Sequence, residues 1–206
     1  MLGVLRKYKQ AKKDQLLLLL EFVTVHDYLF QLRLLAHCLQ PLGSAALYYL
    51  AAAVSDFHIP PSRMSEHKIQ SEGGGNTLTI VMDPVPKFLH HLVQKWAPTA
   101  TIISFKVNLL YESYLQQLET DPNLLIQKAR DSLIKYQHQL VIGNLLNTRK
   151  YEVVLVTENE ETWVRTEGKD IDIESLIIPK CVELHKHRIA EGQLREDPEN
   201  EEAVED

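Results

Sequence analysis

Apolar positions along this chain come in two patterns that alternate: short unbroken runs, and leucines spaced three and four apart. Unbroken runs suit strands buried on both faces of a parallel sheet, and the wider spacing suits the inner stripe of a helix. On this basis Gln15 to Val25 reads as a buried strand around the run Leu16 to Leu20. His26 to Gln40 reads as a helix carrying Leu29, Leu32, Leu35 and Leu39, stopped by Pro41-Leu42-Gly43. A strand from Ala46 to Val54 follows, then a long loop rich in Pro, Ser and Gly that reaches Gly75, then a strand Thr77 to Met82 broken by Asp83-Pro84.

Val85 to Trp96 reads as a second helix, entered through Pro86, and Ala100 to Phe105 as the next strand. Asp121-Pro122 supplies a cap and a first-turn proline for a helix to Tyr136, followed by a strand Gln139 to Ile142. Tyr151 to Thr157 and Glu161 to Arg165 form a pair around the turn Glu158-Asn159-Glu160, and Ile173 to Ile189 closes the fold as a helix. Gly192 to Asp206 has almost no apolar content and is expected to be a disordered acidic tail. Strands alternating with helices predict an α/β fold: a three-layer, Rossmann-like parallel sheet with an added antiparallel strand pair.

Composition narrows this picture. With 206 residues, 45% of them hydrophobic, the chain can build one core without covalent staples. Cys38 and Cys181 lie far apart in apolar helical surroundings, so both read as buried free thiols and point to a reducing compartment, cytosol or nucleus, with a cytoplasmic location the expectation. A net charge of −6 argues against a nucleic-acid partner, whose phosphates demand clustered cations. Leu16 to Leu20 is too short to span a bilayer, which argues against a membrane partner.

Candidate chemistry gathers where strands end. In open α/β sheets ligands bind beyond the carboxyl ends of the strands, and Ala51-Ala52-Ala53-Val54-Ser55-Asp56-Phe57 is such an end. The alanines leave room for a ligand to lie against backbone. Asp56 could orient a ligand hydroxyl or amide, or cap the loop. Lys68, on the polar loop beyond, could neutralise a phosphate or simply be solvated. Phe105 could stack on a base, and Asn144 could hold a base edge or cap a turn.

Other motifs carry less. No glycine loop follows the first strand, and Gly73-Gly74-Gly75 precedes a strand rather than a helix, so it reads as a flexible loop. His90 and His91, like His185 and His187, lack the spacing and third ligand of a metal site, so none is expected. No glycine-flanked serine elbow is present.

The segments AAAVSDF, EHKIQS, WAP with IISFK, LETDP and YQHQLVIGN, in this order from about Val4 to Ile189, resemble the eukaryotic phosphopantothenate–cysteine ligases of coenzyme A synthesis. The resemblance implies an enzyme that activates 4'-phosphopantothenate with ATP and Mg2+ as an acyl-adenylate and joins it to cysteine. It implies a homodimer with no tightly bound cofactor. Carried onto this chain, Ala52, Ala53 and Asp56 would hold phosphopantothenate, Lys68 would close over the acyl-phosphate, and Phe105 and Asn144 would line the nucleotide pocket. Two departures stand out. The family's SGGT-type loop and later serine-glycine loop are missing, so residues 1–191 resemble the C-terminal part of a ligase-like domain, and the resemblance implies an N-terminal truncation. Residues 107–117 are an insertion between the family's SFK and LETDP. A noncatalytic dimerisation partner is the alternative reading.

Overall fold

The computed structural model describes residues 2–64, 79–108, 122–145, 147–168 and 171–196. Lys68, Gly73-Gly74-Gly75, residues 109–117 of the insertion and residues 197–206 of the expected tail lie outside them.

The chain opens with helix α1 (Leu2–Lys13), none of whose residues is buried. Helix α2 (Val25–Leu39) follows the sequence expectation closely. Its start is set by a capping box: the Thr24 hydroxyl accepts from the Asp27 amide at 3.1 Å, and the Asp27 carboxylate accepts from the Thr24 amide at 2.9 Å. These hydrogen bonds hold the Asp27 carboxyl below the usual carboxylate range.

The strand expected over Gln15 to Val25 does not form. Residues 16–23 have no regular structure, and Leu16, Leu18, Leu19 and Leu20 are all exposed. A strand needs a hydrogen-bonded neighbour along its edge, and no strand lies beside this segment among the described residues.

Strand β1 (Leu47–Leu50) is shorter than the apolar run that announced it. Beyond Leu50 the backbone turns, with the Ala51 amide donating to the Tyr49 carbonyl at 3.2 Å. Strand β2 (Phe57–His58) pairs with β3 (Asp83–Pro84) in a two-residue antiparallel ribbon. The strand expected over Thr77 to Met82 is therefore replaced, where the chain is described, by irregular backbone at 79–82 ahead of that ribbon. Helix α3 (Phe88–His91) passes into a π-helical turn at Leu92–Trp96, so the expected helix starts three residues late and Val85, Pro86 and Lys87 lie outside it.

Strand β4 (Thr101–Asn108), helix α4 (Pro122–Tyr136), strand β5 (Leu140–Leu145), the antiparallel strands β6 (Glu152–Val156) and β7 (Glu161–Arg165), and helix α5 (Glu174–Glu196) complete the chain. The main sheet runs β1-β4-β5-β6-β7, parallel through its first three strands and antiparallel thereafter. This is the α/β sheet with an added antiparallel pair that the alternation of patterns predicts.

Alternate residues serve opposite layers. Ile103, Leu140 and Ile142 face Ile173, Ile177 and Cys181 at the start of α5. Val141, Val154 and Val156 face Leu125, Ala129 and Leu133 of α4. Ile102 and Tyr48 meet α2 and the π-helical turn through Leu32, Ala36 and Leu92. Unbroken apolar runs in β4 and β5 follow from this double coverage. Gly143 permits it at the tightest point: a Cβ there would stand 2.9 Å from the Val154 Cγ1 and 3.1 Å from the Leu125 Cγ.

Two further expectations change. Helix α5 continues to Glu196, into the stretch expected to be disordered. Gly192 explains how: its bare Cα lets the helix pass the turn Gln40–Ala45, where a Cβ would lie 2.6 Å from the Ser44 hydroxyl. Packing there offsets an entropy cost that composition alone could not offset. Both cysteines are free, but only Cys181 is buried; Cys38 faces outward from α2.

Candidate functional site

The carboxyl end of β1 stops short of those of β4 and β5, which end level at the Asn108–Leu145 pair. β1 stops at Leu50 opposite Ser104, so Phe105 stands one residue past the last β1 pair, and Asn144 is paired with Val107 further on. Both residues lie inside strands that continue past them, to Asn108 and Leu145, rather than at the strand ends expected from sequence. The stepped edge leaves a crevice of about 570 Å³. Ala52, Ala53, Asp56, Phe105 and Asn144 all line it. The structure thus brings together every candidate residue that it describes; Lys68 is the one that falls outside.

Each wall follows from local structure. Ala51 to Asp56 forms an exposed, irregular shelf past β1. The shelf is fixed at its far end by the Val85 amide, which donates to the Asp56 carbonyl at 2.8 Å. Nearby, the Arg63–Asp83 ion pair ties the two sides of the ribbon and holds the Asp83 carboxyl low, chiefly by its hydrogen bond.

Phe105 is half-buried and meets Tyr49 edge-on, with ring centroids 5.0 Å apart and planes at 78°. Its ring is thereby fixed on the α5 side of the sheet. Burial, with Cys181 and Glu174 nearby, pushes the Tyr49 phenol up to about 12, so it stays protonated. Burial likewise pushes the Cys181 thiol up to about 11, which makes it an inert core group rather than a nucleophile.

Asn144 is 9% exposed, and its Oδ1 has no hydrogen-bond partner among the described residues. An amide held like this is poised to accept from a ligand donor. A second cavity of about 580 Å³ adjoins it, sharing Asn144, Arg149 and Glu174 with the crevice. A hydrogen bond with Asp172 raises the Glu174 carboxyl above its ordinary value.

Sequence reasoning missed several lining residues. Ser104 and Arg149 could have been found by the rule that found Phe105 and Asn144, since one sits in β4 and the other in the loop after β5. Tyr28 of α2, Tyr136 of α4 and Glu174 of α5 could not, because helix docking alone brings them to the rim.

The histidines play other parts. His91 stacks on Trp96, His185 shares a 2.8 Å hydrogen bond with Thr101, and His187 pairs with Glu191 at 3.1 Å. No cluster of three or more His, Cys, Asp or Glu side chains placed to hold a metal occurs among the described residues. Nor is any helix among them long and apolar enough to cross a membrane.

No protein-family model matches the chain. It is 47% identical over 168 residues to the human phosphopantothenate--cysteine ligase, covering 82% of this chain and 50% of that protein. It is 41% identical over 206 aligned positions to phosphopantothenate--cysteine ligase CAB2 of Saccharomyces cerevisiae, covering 91% of this chain and 53% of the relative. Among solved structures, a Cab2 mutant in complex with phosphopantothenate-cysteine superimposes with a TM-score of 0.77 at 40% identity, over 92% of this chain and 61% of that one. The chain spans about half the length of the curated relatives it matches. By sequence and by fold together, it belongs to the phosphopantothenate–cysteine ligase family.

Proposed function

We propose that this chain supplies the phosphopantothenate-binding and nucleotide-binding wall of a ligase that joins 4'-phosphopantothenate to cysteine in coenzyme A synthesis. In the first step a carboxylate oxygen of phosphopantothenate attacks the α-phosphorus of ATP, and pyrophosphate leaves. In the second, the cysteine amine attacks the acyl carbon of the adenylate, AMP leaves, and the ammonium loses its proton. The observation that carries this reading is the single crevice at the carboxyl ends of β1, β4 and β5, which gathers Ala52, Ala53, Asp56, Phe105 and Asn144.

Ala52 and Ala53 let the pantothenate chain approach backbone, and Asp56 accepts from its hydroxyl or amide groups. Phe105 offers its face to the base, and the unpartnered Asn144 amide oxygen accepts from a base donor. Lys68 neutralises charge building on the acyl-phosphate. Mg2+ enters with the triphosphate, which suits a cation that keeps its waters and is held largely by substrate phosphates. The working unit is a cytoplasmic homodimer.

Calorimetric titration of the purified chain with ATP and with phosphopantothenate separately tests this. Phe105→Ala is expected to weaken ATP by about tenfold, the size of a lost base stack, and to leave phosphopantothenate unaffected. Asp56→Ala should do the reverse. Pyrophosphate release with all three substrates, lost in Lys68→Ala, completes the test. A chain that binds neither ATP nor phosphopantothenate overturns the proposal.

A further inference from the structure

Between the alanine shelf and Phe105 lies a buried polar pair that the roles above leave unused. Ser104 lines the crevice, is 7% exposed, and its Oγ stands 2.7 Å from the Nε2 of His138, itself 6% exposed. Ser104 is the residue paired with Leu50, immediately before the shelf, and it directly precedes Phe105. Strand alternation puts its side chain on the α2 face of the sheet, with Ile102 and Leu50 and opposite the Phe105 ring, so within the crevice it borders the shelf.

The proton arrangement of this pair follows from what surrounds it. Burial pushes His138 down to about 4, so the imidazole is neutral and carries one N–H. Its Nδ1 is buried with no partner among the described residues. Orphaned buried N–H groups are rarer than orphaned acceptors, so the proton belongs on Nε2 and the bare lone pair on Nδ1. The Nε2–H then donates to the Ser104 oxygen. A hydroxyl that already accepts from the imidazole has its own proton left to give, and the open side of Ser104 is the crevice.

We infer that His138 is a positioning residue that turns Ser104 into a hydrogen-bond donor aimed into the crevice, for an anionic oxygen of the bound ligand. This rests on the function proposed above, and it adds a recognition element in the crevice beside the shelf. A carboxylate of phosphopantothenate and a phosphate of ATP share the chemistry, and separate titrations distinguish them.

Two measurements on the full chain test it. In 15N-histidine NMR the His138 Nε2 should carry the proton, with Nδ1 showing the shift of a bare pyridine-like nitrogen. In calorimetry Ser104→Ala should weaken one ligand, ATP or phosphopantothenate, on the order of tenfold, as loss of a hydrogen bond to a charged group does. His138→Gln, whose amide N–H can take the place of Nε2–H, should retain most of that affinity, whereas His138→Leu should match Ser104→Ala. A merely structural role would instead lower thermal stability in every variant without this selective loss and rescue. Protonation at Nδ1, or unchanged binding of both ligands by Ser104→Ala in a chain whose wild type binds them, overturns the inference alone. A wild type that binds neither ligand overturns the function and this inference together.

Discussion

Strand β5 and the N-terminal arm at Leu16 to Leu20 are both rich in aliphatic residues, yet one is the centre of the molecule and the other lies on its surface. Val141, Ile142 and Gly143 have strands on both edges and helices on both faces. Leu16 to Leu20 has neither among the described residues, and Leu18 is 75% exposed. An apolar run is thus permission to be a buried strand, not an instruction. The instruction comes from neighbours that accept its hydrogen bonds and cover its side chains.

The contrast can be broken most forcefully at Ile142. Ile142→Ala removes a fully buried side chain and should cost about 2–5 kcal/mol in urea unfolding, through lost transfer energy and the cavity left behind. A loss under about 1 kcal/mol would mean that this layer repacks freely.

Next in size is the pH response of His138. Its proton affinity is depressed in the folded state, so the unfolded chain binds a proton first, at its ordinary value of 6.5. This contribution to stability is therefore complete above about pH 6.5 and is lost as pH falls towards 4. Over that window it amounts to about 3 kcal/mol. The difference in unfolding free energy between wild type and His138→Gln should change with pH inside this window and stay flat above it. A constant difference would contradict the burial of a neutral imidazole.

Gly143→Ala tests how tightly α4 and β6 close on β5. The new methyl would meet Val154 and Leu125 at 2.9 and 3.1 Å, and the overpacking should cost about 1–3 kcal/mol. A neutral result would place slack between the layers. At the other extreme, Leu18→Ser on the arm should change stability by less than about 0.5 kcal/mol, as expected for an exposed site. A loss above about 1 kcal/mol would show that the arm is covered in solution.

The candidate site divides along similar lines. Phe105 and Asn144 were legible because the rule for strand carboxyl ends needs only the order of strands, even though both residues proved to lie inside longer strands. Asp56 and the alanines were legible as the break in an apolar run. The Ser104–His138 pair was not, because its meaning lies in one 2.7 Å contact across 34 residues of chain and in an imidazole nitrogen without a partner among the described residues.

By itself the sequence determined what is local: the apolar stripe of α2, the proline entry to α4, the turn at Glu158 to Glu160, and the alternation that makes the fold α/β. Family membership was also legible there, because ordered motifs survive independently of packing. Only the tertiary structure decided which apolar runs became strands, how far β4, β5 and α5 extend, which cysteine is buried and which helix side chains reach the crevice. The physical reason is that burial and hydrogen bonding are properties of pairs of segments, so each segment extends only as far as a partner pairs or packs with it: β1 leaves β4 at the Leu50–Ser104 pair, β4 runs on beside β5 to Asn108, and α5 runs past Ser44 because Gly192 lets it.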